Sequence, residues 1–196
     1  TIPYKKKIIQ HLSNINKHAE VIGAVNCVRV DKKTKGINTD WAGYLNSIKE
    51  YKINKNKNIL ILGYGGASKA IFYGFALKGY KNISVFNRSK KAIKLKGIYR
   101  YTKSYSNIDN YLINADLIIN TTPTNPLKKK QVKLIKKNAL ISDIVYKPKK
   151  TAFLKNFNNN KKIYGISMLV EQAILCFKDW FGFEPKVDKN LLKKLD

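Results

Sequence analysis

The chain has 196 residues, 44% of them hydrophobic, enough for one large or two small domains with a real core. No apolar run reaches the roughly 20 residues a membrane-spanning helix needs. A formal charge of +27 would suggest nucleic acid, but of 39 basic residues only Arg29, Arg88 and Arg100 are arginines, so 36 are lysines, scattered over nearly every segment; base-reading proteins lean on arginine's bidentate fork, and specific nucleic-acid binding is not expected.

Along the chain, Thr1-Ile2-Pro3 reads as a strand end, with Pro3 opening a helix that carries Ile8, Ile9 and Leu12. The start at Thr1, inside a motif and without methionine, implies that something upstream is missing. A short helix then leads into a strand over 24–30. The polar loop 31–35 turns into Gly36-Ile37-Asn38-Thr39, and a helix runs from Asp40 to about Tyr51, with Tyr44, Leu45 and Ile48 on one face. His11 and His18 stand alone on polar segments and receive no role. Cys27 and Cys176 sit in no metal-ligand or Cys-x-x-Cys spacing and read as buried free thiols of a reducing compartment.

Residues 58–89 form one dinucleotide-binding pattern. A strand over 58–62 runs into the turn Gly63-Tyr64-Gly65-Gly66-Ala67-Ser68, an amphipathic helix reaches Lys78, and a second strand over 82–86 ends in Asn87-Arg88-Ser89. Gly63 permits the tight turn, and Gly65 and Gly66 admit a pyrophosphate to the backbone. The helix starting near Ala67 aims its free N–H groups at that anion. About 20 residues past the glycines a carboxylate would hold the ribose of NAD, whereas an arginine accommodates the 2′-phosphate of NADP. Arg88 therefore points to NADP(H). Tyr64 in the turn is tolerable if its side chain points to solvent.

Beyond Ser89, strand-like runs at 116–120, 139–145 and 163–165 are separated by short helical stretches, which predicts a Rossmann-type doubly wound parallel sheet. A long helix over 167–180 stops at Gly182 and Pro185, and a tail helix starts at Asp188. Trp41 and Trp180 read as packing residues.

A reductase delivering hydride to a ketone must manage charge growing on the carbonyl oxygen, so it needs a proton donor or cation nearby. Lys5 is the leading candidate: in the first turn of a helix, beside Lys6 and Lys7, both the dipole and like charges would disfavour its ammonium. Asp40 could be a plain N-cap, yet Asn38, Thr39 and Asp40 crowd three polar groups at a strand end, where open α/β sheets bind ligands. Gln172 lies on the apolar stripe of its helix, between Leu169 and Leu175–Cys176, so its amide faces inward, either as a satisfied core residue or toward a hydroxylated substrate. Tyr146 ends a strand at the sheet's carboxyl edge.

Six motifs in this order resemble the shikimate dehydrogenase family over essentially the whole chain: residues 1–5, 22–26, 36–43, the glycine turn with Asn87-Arg88-Ser89, 143–148 and 165–173. The resemblance implies reversible NADPH-dependent reduction of 3-dehydroshikimate to shikimate, in aromatic amino-acid and chorismate biosynthesis. By that match Lys5 and Asp40 are the catalytic pair, and Thr1, Asn26, Asp40, Tyr146 and Gln172 contact the substrate. Gly63, Gly65, Gly66 and Ala67 hold the pyrophosphate, while Asn87, Arg88 and Ser89 with Lys91 take the 2′-phosphate. Ile144, Gly165 and Met168 lie against the nicotinamide. The implied organisation is the remainder of an N-terminally truncated α/β catalytic domain over 1–52, an NADP-binding domain over 57–165, and C-terminal helices over 166–196 returning to the catalytic domain. Family members carry a serine-rich opening segment upstream of the Thr1 position, and the stretch after Ser89 is shortened here. The expected setting is a cytoplasmic monomer or homodimer acting on a small molecule, with no metal and no membrane. The alternatives are a quinate/shikimate dehydrogenase using NAD, disfavoured because no acid stands near Arg88; glutamyl-tRNA reductase, disfavoured by the Asn-Thr-Asp block; and a decayed NADP-binding remnant.

Overall fold

The computed structural model describes residues 4–95 and 97–195. Five strands form a fully parallel sheet in the order β10-β9-β8-β4-β5: β4 (Ile59–Leu62), β5 (Ile83–Phe86), β8 (Leu117–Asn120), β9 (Leu140–Asp143) and β10 (Lys162–Ile163). β4 and β8 occupy the middle and are buried at every residue, which is why they read as unbroken apolar runs rather than alternating ones. Ile59, Ile61, Leu117 and Ile119 project to one face, against Ile71, Phe72 and Phe75 of helix α3 (Gly66–Leu77) and Tyr44 of α2 (Asp40–Ser47). Leu60, Leu62 and Ile118 project to the other, against Leu112 of α4 (Asp109–Asn114) and the cluster Phe153, Leu154 and Phe157. Each such side chain contributes about 1.5–3 kcal/mol of burial, and both faces supply it, so a doubly wound sheet results. α5 (Lys129–Val132) connects β8 to β9.

A smaller sheet precedes it, in the order β1-β3-β2: β1 (Asn14–Ile15), β2 (Cys27–Val30) and β3 (Thr34–Ile37), with α1 (Lys17–Ile22) between the first two. β2 and β3 form an antiparallel hairpin and β1 joins β3 in parallel. Helix α6 (Gly165–Phe181), the longest in the chain, leaves β10 and packs back on α2, and its end is tied to β2 by Trp180 Nε1 donating to the Val28 carbonyl at 3.0 Å and Arg29 donating to the Asp179 carbonyl at 3.0 Å. Gly182, at φ 82°, stops it. α7 (Lys189–Leu195) follows. Among the described residues no helix is long and apolar enough to cross a membrane.

Several elements depart from the sequence reading. Residues 4–6 form a turn and only Lys7–His11 coil, as a 3-10 helix in which Ile8 and Ile9 are no more than partly buried; so short a segment with so little burial does not hold a full helix. The stretch after Ser89, to which the sequence reading gave no element, is an antiparallel hairpin, β6 (Ala92–Leu95) and β7 (Ile98–Tyr101). Gly165 begins α6 instead of ending a strand. Tyr64 is half-buried against the core, not turned to solvent, with the Lys69 ammonium 5.4 Å above its ring. His18 has a structural place, its Nδ1 2.6 Å from the Tyr73 hydroxyl and its ring against Trp41. Trp180 is 47% exposed and packs only in part.

Candidate active site

The turn between β4 and α3 is closed by Ser68 Oγ donating to the Gly63 carbonyl at 2.7 Å. Gly63 has φ 97°, and a Cβ there would lie 2.8 Å from both Thr121 Oγ1 and Thr122 Cγ2, so neither conformation nor space admits another residue. At Gly65 a Cβ would meet nothing within 4 Å, and α3 has no side-chain cap, which leaves its first-turn N–H groups facing an open cradle. β5 delivers Arg88 and Ser89 exposed beside this turn, and Asn87 Nδ2 donates to the Ser89 carbonyl at 2.9 Å, shaping the loop. An anionic dinucleotide with a phosphorylated ribose fits this donor set: backbone N–H groups, a guanidinium and hydroxyls, with no carboxylate in the 87–91 loop. Lys90 places its ammonium 4.5 Å over the Tyr101 ring, while Lys91 is exposed and its N–H donates to Thr102 Oγ1 at 2.9 Å.

Beside the cradle lies a cavity of about 230 Å³. Ala67, Ile144, Gly165 and Met168 line it together with Lys5, Asn26, Asp40, Tyr146 and Gln172. Every one of these was singled out from sequence, and they come from residues 5 to 172. Leu169 also lines it and was missed, although it stands in the same Met168–Gln172 block. Thr1 lies outside the described residues.

Asp40 is the first residue of α2 and does not cap it; its own N–H donates to Asn38 Oδ1 at 3.0 Å. Its carboxylate, 3% exposed, instead takes the Lys5 ammonium on one oxygen and Asn26 Nδ2 at 3.0 Å on the other. Lys5 is anchored by its carbonyl, which accepts from the Val25 N–H at 2.8 Å, and its stem lies against the first turn of α3. Because Lys5 precedes the 3-10 helix and faces a carboxylate, the expected influence of a helix dipole and neighbouring lysines is replaced by a buried ion pair.

Asn26 joins the wall together. Its Nδ2 also reaches Thr39 Oγ1 at 2.9 Å and Gln172 Oε1 at 3.0 Å, and its Oδ1 accepts from the Thr39 N–H at 2.8 Å. Thr39, whose Oγ1 donates to the Gln172 carbonyl at 3.1 Å, is a positioning residue the sequence marked only as one of three crowded polar groups. Gln172 reaches this network because Gly43 lets α6 touch α2: a Cβ at Gly43 would sit 2.6 Å from the Gln172 N and Cβ. Below it, Cys176 and Cys27 are buried free thiols in one small cluster with Ile37, a contact no spacing could announce.

A doubly wound nucleotide-binding sheet whose glycine turn opens beside a buried lysine–carboxylate pair defines a nicotinamide-dependent oxidoreductase. Comparison with known proteins narrows the class. The chain is 38% identical over its whole length to the shikimate dehydrogenase (NADP(+)) of Methanococcus maripaludis, of which it covers 77%. It is 34% identical to the shikimate dehydrogenase of Aquifex aeolicus, with a TM-score of 0.84 over 100% of this chain and 74% of that one. The shikimate 5-dehydrogenase of Thermus thermophilus, solved with NADP(H) and shikimate, is 27% identical at a TM-score of 0.81 over 100% of this chain and 76% of that one. A family model described as shikimate / quinate 5-dehydrogenase matches residues 47–165. The chain belongs to the shikimate dehydrogenase family.

Proposed function

We propose that this chain reversibly reduces 3-dehydroshikimate to shikimate with NADPH. The observation that carries the reading is the Lys5–Asp40 pair in the cavity that Ala67, Ile144, Gly165 and Met168 also line. When bound, the nicotinamide supplies or accepts the hydride. Lys5 gives a proton to the carbonyl oxygen in the reducing direction and takes it from the hydroxyl in reverse; Asp40 orients the ammonium and balances its charge. Asn26, Tyr146 and Gln172 bind substrate hydroxyls, and so would Thr1. The network that already holds Asn26 on both Asp40 and Gln172 supports this reading, since groups held in advance bind with little reorganisation. Gly63, Gly65, Gly66 and Ala67 take the pyrophosphate; Asn87, Arg88, Ser89 and Lys91 take the 2′-phosphate; Ile144, Gly165 and Met168 hold the nicotinamide.

The proposed division is 1–52 for substrate binding and catalysis, 57–165 for NADP, and 166–196 returning to the first part, a reading supported by α6 lying on α2 and β2. The proposed setting is cytoplasmic, as monomer or homodimer, without a nucleic-acid partner. The test is direct: the purified protein should oxidise NADPH, followed by absorbance, on addition of 3-dehydroshikimate and reduce NADP+ on addition of shikimate. A protein that binds NADPH yet turns over neither would leave a nucleotide-binding remnant instead.

A further inference from the structure

Tyr105 opens the 3-10 turn Tyr105–Asn107, between the β6–β7 hairpin and α4. Its ring rests against Phe86, the last residue of β5, with centroids 6.1 Å apart, so it sits just behind Asn87-Arg88-Ser89. The hydroxyl is closed off from solvent and has no hydrogen-bond partner among the described residues. The Gly63 peptide N–H and the Arg88 guanidinium both act on it. Both are donors, and the Gly63 N–H is already given to the Phe86 carbonyl at 2.7 Å. Among the described residues the phenolic hydrogen has no acceptor. Burial pushes the hydroxyl up to about 12, so it keeps that hydrogen throughout the neutral range.

A buried donor left without an acceptor is costly and uncommon enough in native proteins to need a reason. Here the reason is its position. It stands between the turn and the arginine that together receive a nucleotide, and a nucleotide brings ribose and phosphate oxygens, which are acceptors. We infer that Tyr105 is a further cofactor-binding residue, its hydroxyl donating to a ribose or pyrophosphate oxygen of the adenosine half seated at the Gly63 turn. The inference rests on the NADP reading above and extends it, for no motif marks Tyr105. Because the acceptor lies by the glycine turn, it is common to NADPH and NADH. The 2′-phosphate stays with Asn87, Arg88, Ser89 and Lys91.

Tyr105→Phe removes the hydroxyl and keeps the ring on Phe86. Titration calorimetry with NADPH and with NADH should show both bound about threefold to tenfold more weakly than by the parent, by the same factor. Without nucleotide, the variant should melt at the parent's temperature or a few degrees higher, since an unpartnered polar group has gone from the interior. The rise in melting temperature on adding saturating NADPH should shrink. Unchanged affinities, or a variant that melts lower than the parent without nucleotide, would overturn the inference, the second because it reveals a partner inside the fold. Weakening confined to NADPH would also overturn it by moving the contact to the 2′-phosphate. A parent chain that binds neither nucleotide overturns the NADP reading along with it, and so is told apart from failure of Tyr105 alone.

Discussion

The two sides of the cleft are built in opposite ways. The nucleotide side is almost a single stretch: β4, the glycine turn, α3 and β5 supply Gly63 through Arg88 in sequence order, and each residue's geometry follows from the turn it occupies. The substrate side is assembled from a turn at Lys5, a strand entry at Asn26, a helix start at Asp40, a strand exit at Tyr146 and the middle of α6 at Gln172. One side is local and modular; the other exists only when two sheets and a returning helix meet. Damage should therefore separate: on the nucleotide side a substitution changes one contact, while on the substrate side it disturbs a shared network.

The sharpest separation is expected from Lys5→Ala, which should cut turnover by at least about 100-fold while leaving NADPH affinity intact. Stopped-flow binding beside steady-state rates measures both, and unchanged turnover removes Lys5 from the chemistry. Arg88→Ala tests the opposite side. Losing a charge-assisted bond to phosphate costs roughly 1.5–3 kcal/mol, so KM for NADPH should rise about 10- to 100-fold while use of NADH barely changes. Equal losses with both cofactors would break the assignment.

Gly43→Ala asks whether the substrate side depends on helix approach. Its Cβ would meet Gln172 at 2.6 Å, so α2 and α6 must part, at a cost of about 1–3 kcal/mol, and KM for substrate should rise with little change in NADPH binding. Parent-like denaturation and KM would show that the contact yields freely.

Asp116 offers a control in the scaffold. Desolvation pushes its carboxyl up, but the Asn58 N–H and the ammonium groups of Lys136 and Lys57 outweigh this and hold it below the usual range. A depressed carboxyl adds stability above its unfolded-state pKa and loses it as pH falls through the folded-state value. Asp116→Asn should thus lower the melting temperature near neutrality by the equivalent of under about 1 kcal/mol, and the gap should close in acid. A gap that persists in acid would point to lost hydrogen bonds instead of charge. The smallest effect concerns Lys6, whose charge, after burial, also pushes the half-exposed Lys69 ammonium on α3 down. Lys6→Glu should turn repulsion into attraction and raise the melting temperature by no more than about 2–4 °C, with kcat unchanged. A fall would mean the two chains do not face each other as the structure has them.

How much of this was legible follows the same division. The strand–turn–helix unit could be read because spacing along the chain is spacing in space within one such unit, and Arg88 follows from it. The β6–β7 hairpin was also within reach: Ile93, Leu95 and Ile98 flank a Gly97 at φ 77°, a turn signal that the sequence reading left unused. Helical periodicity turned Gln172 inward but could not say toward what, since its partner Asn26 lies 146 residues away. Lys5 and Asp40 were paired through resemblance, while the dipole argument for Lys5 rested on a helix that does not form there.

The amino-acid sequence by itself determined the parallel sheet, the glycine cradle and the preference for a phosphorylated ribose, because backbone conformation, hydrophobic period and a short loop act over a few residues. Only the tertiary structure decided that an ammonium, a carboxylate and two amides from four remote segments share one cavity, and that the Tyr105 hydroxyl is buried without an acceptor among the described residues. Burial and hydrogen-bond partnership are properties of what surrounds a group, and those surroundings come into being only when the chain closes on itself.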